Sequence, residues 1–202
     1  MLSVVITGNT GSGKSTLSNF LSEFGIDTIC ADKINADVFK YCRLVSHQTN
    51  KIINSLDMTK DNRVDKIHLR NIIFNRPLIK KAIESILHPI IYENMILQKS
   101  LHLEKSYIIF EIPLIFESQS KFEDVDIIIL ITSEYTNLKK RITDRLGISL
   151  CQAKNILSSQ LADRNKFSAS DAVVINSSTL ESLRDSAIEL DYGLRKFSQS
   201  LI

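Results

Sequence analysis

Residues 3 to 16 limit the possible folds more than any other stretch. Ser3-Val4-Val5-Ile6-Thr7 is a short apolar, β-prone run, and it leads without a break into GNTGSGKST, residues 8 to 16. The second part carries the spacing G-x-x-x-x-G-K-[ST] of a phosphate-binding P-loop. Each residue type answers a demand of a polyphosphate. Gly8, Gly11 and Gly13, with Ser12 between the last two, allow a backbone of positive φ whose N–H groups wrap anionic oxygens. Lys14 is expected to reach the β and γ phosphates as a point charge, and Ser15 to offer a hydroxyl to Mg²⁺. Thr16 then falls in the first turn of a helix whose N-terminal dipole favours the same negative charge. Nucleotide binding follows from this stretch, and the rest of the chain must say what is done with the nucleotide.

At 202 residues the chain suits one α/β domain with a well-buried core. With 44% hydrophobic and 24% charged residues it has the composition of a folded globular protein, not of a disordered one. A formal net charge of +2 gives no support for a nucleic-acid partner held by long-range electrostatics. Cys30, Cys42 and Cys151 are odd in number and lack metal-site spacing, which fits idle thiols in a reducing compartment. The apolar start, Met1 to Ile6, is too short for a signal segment, and no apolar run approaches the ~20 residues of a membrane span. These features predict a cytoplasmic protein with no membrane partner. A monomer or weak homo-oligomer is expected, though no feature of the sequence shows the oligomeric state.

Along the chain, Leu17, Phe20, Leu21 and Phe24 have helical spacing, with Gly25 as the stop. Residues 26 to 30 are β-prone and end at Ala31-Asp32, where a parallel sheet would place ligands at its carboxyl rim. Asp32 has two compatible readings. It can be the N-cap of a helix starting near Lys33, or a general base for a hydroxyl attacking the γ-phosphate. Residues 33 to 56 read as helix, 60 to 63 as a polar turn and 65 to 74 as another helix. Residues 78 to 103 read as helix broken or bent at His88-Pro89, with His88 a structural residue beside the breaker on local grounds.

The continuous apolar runs 107 to 112 and 125 to 131 are typical of strands buried on both faces of a parallel sheet. Glu111, near the end of the first, is either part of a Mg²⁺ hydration shell or a capped rim residue. From Glu134 to Lys166 the pattern is helix, break at Gly147, helix, with many basic residues. A solvated face is the ordinary reading of such a run. The competing demand is for arginines on a lid, to neutralise the phosphoryl group in flight. Arg141 and Arg145, one turn apart, can serve that together, and Arg164 is a further candidate. Residues 172 to 176 predict a last strand whose following loop, from Asn176, could contact the adenine of ATP. Residues 179 to 199 predict a closing helix.

Taken together these residues resemble the dephospho-coenzyme A kinase family. The marks are GNTGSGKST, Ala31-Asp32, Leu87-His88-Pro89, IPLIFE at 112 to 117, the Arg141/Arg145 spacing, and Q-x-x-x-R-x-K-x-x-x-x-x-D with Val174-Ile175-Asn176 over residues 160 to 176. The resemblance implies an α/β, three-layer P-loop kinase fold around a central parallel five-stranded sheet. It divides a single domain into a core (1–32, 104–133, 170–202), an acceptor-binding helical region (about 33–103) and a lid (about 134–169). It implies transfer of the γ-phosphoryl of ATP, with Mg²⁺, to the ribose 3′-hydroxyl of dephospho-coenzyme A. Asp32 then becomes the base, Lys14 and Ser15 the phosphate and metal anchors, Arg141 and Arg145 lid residues, and His88 and Glu117 substrate-side residues. The chain departs from the family pattern at Lys66, Tyr92 and Ala172, mostly on the acceptor side.

Two other readings share many of these residues. Another small-molecule kinase would keep Asp32 and the lid and change the acceptor pocket. A nucleotide-operated binding module would have no turnover. A guanine-specific switch would need N-K-x-D, and Asn50-Lys51 and Asn165-Lys166 each lack its aspartate.

Overall fold

Unbroken apolar runs need cover on both faces, and a parallel sheet supplies it. The computed structural model describes residues 1–41, 77–102, 104–113, 115–116, 124–160 and 163–201. Its strands are β1 (Leu2–Thr7), β2 (Thr28–Cys30), β3 (Tyr107–Glu111), β4 (Ile127–Thr132) and β5 (Ala172–Ile175). They form one sheet in the order β2-β3-β1-β4-β5, every neighbouring pair parallel. Helices α1 (Lys14–Glu23), α2 (Ala31–Tyr41), α3 (Pro77–Lys99), α4 (Tyr135–Leu146), α5 (Leu150–Ser158), α6 (Asp163–Phe167) and α7 (Leu180–Ser200) complete the described elements, with a 3₁₀ turn at Ser100–His102. The expected fold class, an α/β P-loop kinase architecture on a five-stranded parallel sheet, is the one observed.

The described residues fall into two compact units, Met1–Ala31 with Gln98–Ile202, and Asp32–Leu97. In the first, alternate strand residues meet two helices. Leu2, Val4 and Ile6 of β1, Tyr107 and Ile109 of β3, Ile129 and Ile131 of β4 and Val174 of β5 pack with Leu17, Phe20 and Leu21 of α1 and Leu183, Ala187 and Leu194 of α7. The residues between them, Val5, Ile108, Phe110 and Leu130, are buried as well. Each such side chain contributes about 1.5–3 kcal/mol on burial, so the central strands are the most strongly held part of the unit. A smaller core of Leu138, Ile142, Ala153 and Leu157 joins α4 to α5. The corner between them is set by left-handed Gly147 and a capping box of Ser149 with Gln152.

Two aspartates pin the register of the sheet. Asp126 exchanges bonds with Ser3, its carboxylate accepting from the Ser3 N–H at 2.7 Å and its own N–H donating to the Ser3 carbonyl at 2.9 Å. Asp171 does the same with Ile128, at 2.7 and 2.8 Å. A slip by one residue would break both exchanges and swap the side chains that pack on the two buried faces. The fully buried Tyr107 donates its hydroxyl to Asp191 of α7 at 2.7 Å, and Arg195 clasps the same carboxylate and donates to the Phe24 carbonyl at 3.0 Å. Burial first, and then the Asp191 carboxylate, push the Tyr107 phenol far above its ordinary range.

The second unit contains residues 32–41 of α2 and 77–97 of α3, with Ile34, Val38, Ile83, Leu87 and Met95 buried. Two expectations are corrected here. Of the two expectations for residues 78 to 103, broken or bent at His88-Pro89, the break is excluded, since α3 runs through Pro89 to Lys99. Proline removes one ladder bond and crowds one carbonyl, a local cost that burial of Ile83, Leu87 and Met95 on both sides outweighs. Asp32 is not an N-cap, because α2 already begins at Ala31 and Asp32 lies in its first turn. There its charge faces the favourable end of the helix dipole without capping it. The expected turn at 60–63 and helix at 65–74 lie outside the described residues, as does Lys66. Among the described residues no helix is long and apolar enough to cross a membrane.

Candidate active site

The loop between β1 and α1 takes its shape from its glycines. Gly8 and Gly13 have φ of 146° and 104°, a region that favours glycine. A Cβ on Gly8 would overlap the Ile131 carbonyl oxygen, and one on Gly13 would overlap the Asn176 side-chain nitrogen. The left-handed Gly13 opens α1 with no side-chain cap, and the first bond back to the loop is Leu17 N–H to the Gly13 carbonyl at 3.0 Å. The first-turn N–H groups therefore have no acceptor inside the helix, which is the arrangement that receives an anion.

Side chains from several elements, most of them distant in the chain, hold this loop. Asn176, at the end of β5 and buried, donates its amide to the Ser12 carbonyl at 2.7 Å. Arg141 of α4, half-buried, donates to the Gly11 carbonyl at 3.3 Å and to the Asn176 carbonyl at 3.0 Å. Gln160 accepts from the Thr10 N–H at 3.0 Å and donates to the Thr10 hydroxyl at 3.2 Å. Lys166, fully buried, donates to the Asn9 side-chain oxygen at 2.8 Å. Lys14, 8% exposed, donates to the Gly8 and Asn9 carbonyls at 2.7 and 3.1 Å. With these carbonyls engaged by side chains, the loop is held in one shape. The Ser12 hydroxyl is buried with no hydrogen-bond partner among the described residues.

Glu111 ends β3 in register with Ile6 of β1 and Cys30 of β2, so it stands at the carboxyl rim beside the loop. Its carboxylate accepts from the Ser15 hydroxyl at 2.8 Å and is 7% exposed. A hydroxyl and a carboxylate are hard oxygen donors of the kind Mg²⁺ takes, and Mg²⁺ needs few protein ligands when phosphates supply others. The chain leaves β2 at Cys30, and Asp32 follows two residues later.

The structure thus gathers Gly8, Gly11, Ser12, Gly13, Lys14, Ser15, Glu111, Arg141 and Asn176, with Thr16 in the first turn of α1. Arg145 is exposed in the last turn of α4, with no hydrogen bond or ion pair to a described residue. Arg164 lies on α6. His88 is half-buried on α3, in the second unit with Asp32. Glu117 lies outside the described residues. Asn176, expected at the adenine, has its amide engaged by the loop. Asn9, Gln160 and Lys166 are the residues that sequence reasoning missed as parts of the site. Lys166 was read within a solvated basic face, and it is instead the most deeply buried cation at the loop. The signal was the pairing of Gln160 and Lys166 in one short spacing ahead of a strand.

A model of the dephospho-CoA kinase family matches residues 2–182. The chain belongs to the dephospho-CoA kinase family. A dephospho-CoA kinase of Coxiella burnetii is 30% identical over 99% of this chain and 100% of its own length. Among solved structures, a dephospho-CoA kinase from Campylobacter jejuni superposes with a TM-score of 0.62 at 26% identity, covering 96% of this chain and 97% of its own. The Thermus thermophilus protein TT1252 reaches a TM-score of 0.81 at 23% identity with the same coverage, which speaks to the fold. Family membership makes the chain an ATP-using phosphotransferase of the dephospho-CoA kinase type.

Proposed function

We propose that this protein phosphorylates the ribose 3′-hydroxyl of dephospho-CoA with ATP, giving CoA and ADP as the last step of CoA biosynthesis. The observation that carries the nucleotide half is the glycine-rich loop whose carbonyls are engaged by Asn176, Arg141 and Lys14. Such a cradle offers preorganised donors to a polyphosphate at little cost of reorganisation. Lys14 neutralises the phosphates, and Arg141 stands ready at the rim, with Arg145 and Arg164 closing over the nucleotide as lid residues. Ser15 and Glu111 would hold Mg²⁺, which when bound screens charge between the β and γ phosphates.

On the acceptor side, Asp32 takes the proton of the attacking hydroxyl as that oxygen bonds to the γ-phosphorus. The bond from the γ-phosphorus to its bridging oxygen breaks, and ADP leaves with the electron pair. His88 and Glu117 orient the acceptor. The division expected from the sequence, with residues 33–103 binding the acceptor and 134–169 forming the lid, is part of this proposal. So are a cytoplasmic location and action as a monomer or weak homo-oligomer without nucleic acid.

The test is ADP release with Mg-ATP, comparing dephospho-CoA with nucleosides, nucleotides and no acceptor. Stimulation by dephospho-CoA alone, with CoA as product, is expected. Stimulation by another acceptor would move the protein to a different small-molecule kinase, and tight ATP binding without acceptor-dependent turnover would make it a binding module.

A further inference from the structure

We propose that Lys166 is a positioning residue for the phosphate-binding loop, acting through the side chain of Asn9. The proposal rests on the kinase reading and adds a residue to its nucleotide half.

Lys166 has no exposed surface, yet it sits on a five-residue helix in a polar, basic segment. An ammonium group is costly to bury unless strong acceptors receive it. Here the Asn9 side-chain oxygen does so at 2.8 Å, and Asn9 is itself 8% exposed. The Asn9 carbonyl accepts from the Ser12 N–H at 3.1 Å and from Lys14 Nζ at 3.1 Å. One residue thus carries the bond that closes the loop, a bond that seats Lys14, and the contact with Lys166. Holding its side chain fixes the orientation of the turn from which the other two bonds are made.

The segment that carries Lys166 is suited to act as a fixed support. The Lys166 carbonyl accepts from the Ser170 hydroxyl at 2.7 Å and from the Ala169 N–H at 3.1 Å, and Asp171 is then locked onto Ile128. Six residues before Lys166, Gln160 grips the backbone and side chain of Thr10. Asn9 and Thr10 are therefore held from one short stretch just ahead of β5, while Asn176 at the far end of β5 holds Ser12. Support of this kind lowers the conformational cost of binding, and the ammonium adds a positive charge behind a site for polyanions.

The test compares Lys166→Met, Asn9→Ala and the double variant with the wild type. Methionine keeps the length and suits a buried position. Each single variant is expected to raise the Kd for ADP and the KM for ATP about 10- to 100-fold, the size of a lost charged hydrogen bond. The KM for dephospho-CoA should stay unchanged, and the double variant should be no worse than the singles. Wild-type ADP affinity in the single variants, additive effects in the double, or a loss of kcat alone would overturn the proposal. If Lys166→Met fails to fold by circular dichroism, Asn9→Ala decides by the same ADP titration. Wild-type protein that binds ADP but does not phosphorylate dephospho-CoA would refute the kinase reading, and the ADP comparison would still decide the role of Lys166.

Discussion

Asn176→Asp replaces one side chain by another of nearly the same size and reverses one hydrogen-bonding group. In the native protein the amide nitrogen donates to the Ser12 carbonyl at 2.7 Å, and the amide oxygen lies 3.5 Å from Arg141 Nη2. An aspartate keeps the acceptor toward Arg141 and sets a second acceptor against the Ser12 carbonyl. The loss has two parts, about 1 kcal/mol for the bond and about 1–3 kcal/mol for the buried carbonyl left without that donor. A total of about 2–4 kcal/mol corresponds to a fall in Tm of roughly 4–16 °C for a chain of this size. Because the bond holds the cradle, ADP affinity should fall about tenfold or more as well. Thermal melts with and without ADP, together with an ADP titration, measure both effects. Asn176→Ala should cost less, since it removes the donor without adding a repulsive oxygen. If Asn176→Asp melts and binds ADP like the wild type, the amide only fills space and the account of a loop held by its carbonyls is wrong.

Three further outcomes can be checked directly. Asp32→Asn should lower turnover by roughly 10²-fold, the order for a lost general base, with ADP affinity nearly unchanged; unaltered steady-state turnover would remove Asp32 from the chemistry. Lys14→Ala should weaken ADP binding and turnover together, and full activity would contradict the P-loop assignment. Tyr107 stays protonated in the fold at pH values where an unfolded tyrosine ionises, at about pH 10. The native state then holds more protons, so stability is complete below pH 10 and falls above it by up to about 1.4 kcal/mol per pH unit. Tyr107→Phe should flatten that alkaline fall in urea melts between pH 9 and 11, and an unchanged slope would sink the argument.

The nucleotide half of the site was legible because its chemistry is local. A phosphate cradle needs glycines, a lysine and a hydroxyl at fixed spacing on consecutive residues, so GNTGSGKST carries it openly. The same holds for the strands, whose apolar runs need cover on both faces. The break expected at His88-Pro89 did not occur because proline marks a local cost in the helix ladder, while the burial that outweighs it comes from tertiary packing. The N-cap reading of Asp32 failed by a one- or two-residue shift of a helix boundary, which local preference does not resolve.

By itself, then, the sequence determined the order of strands and helices, the phosphate loop and the family to which the chain belongs. These depend on spacing along the backbone. Only the tertiary structure decided which residues hold the loop in shape. Asn9 with Lys166 and Ser12 with Asn176 are more than 150 residues apart in the chain, and nothing in a charge or propensity pattern distinguishes a buried lysine from a solvated one. A parallel sheet brings the ends of distant strands to one rim, and that convergence makes Lys166 and Asn176 neighbours of a loop formed by the first strand of the chain.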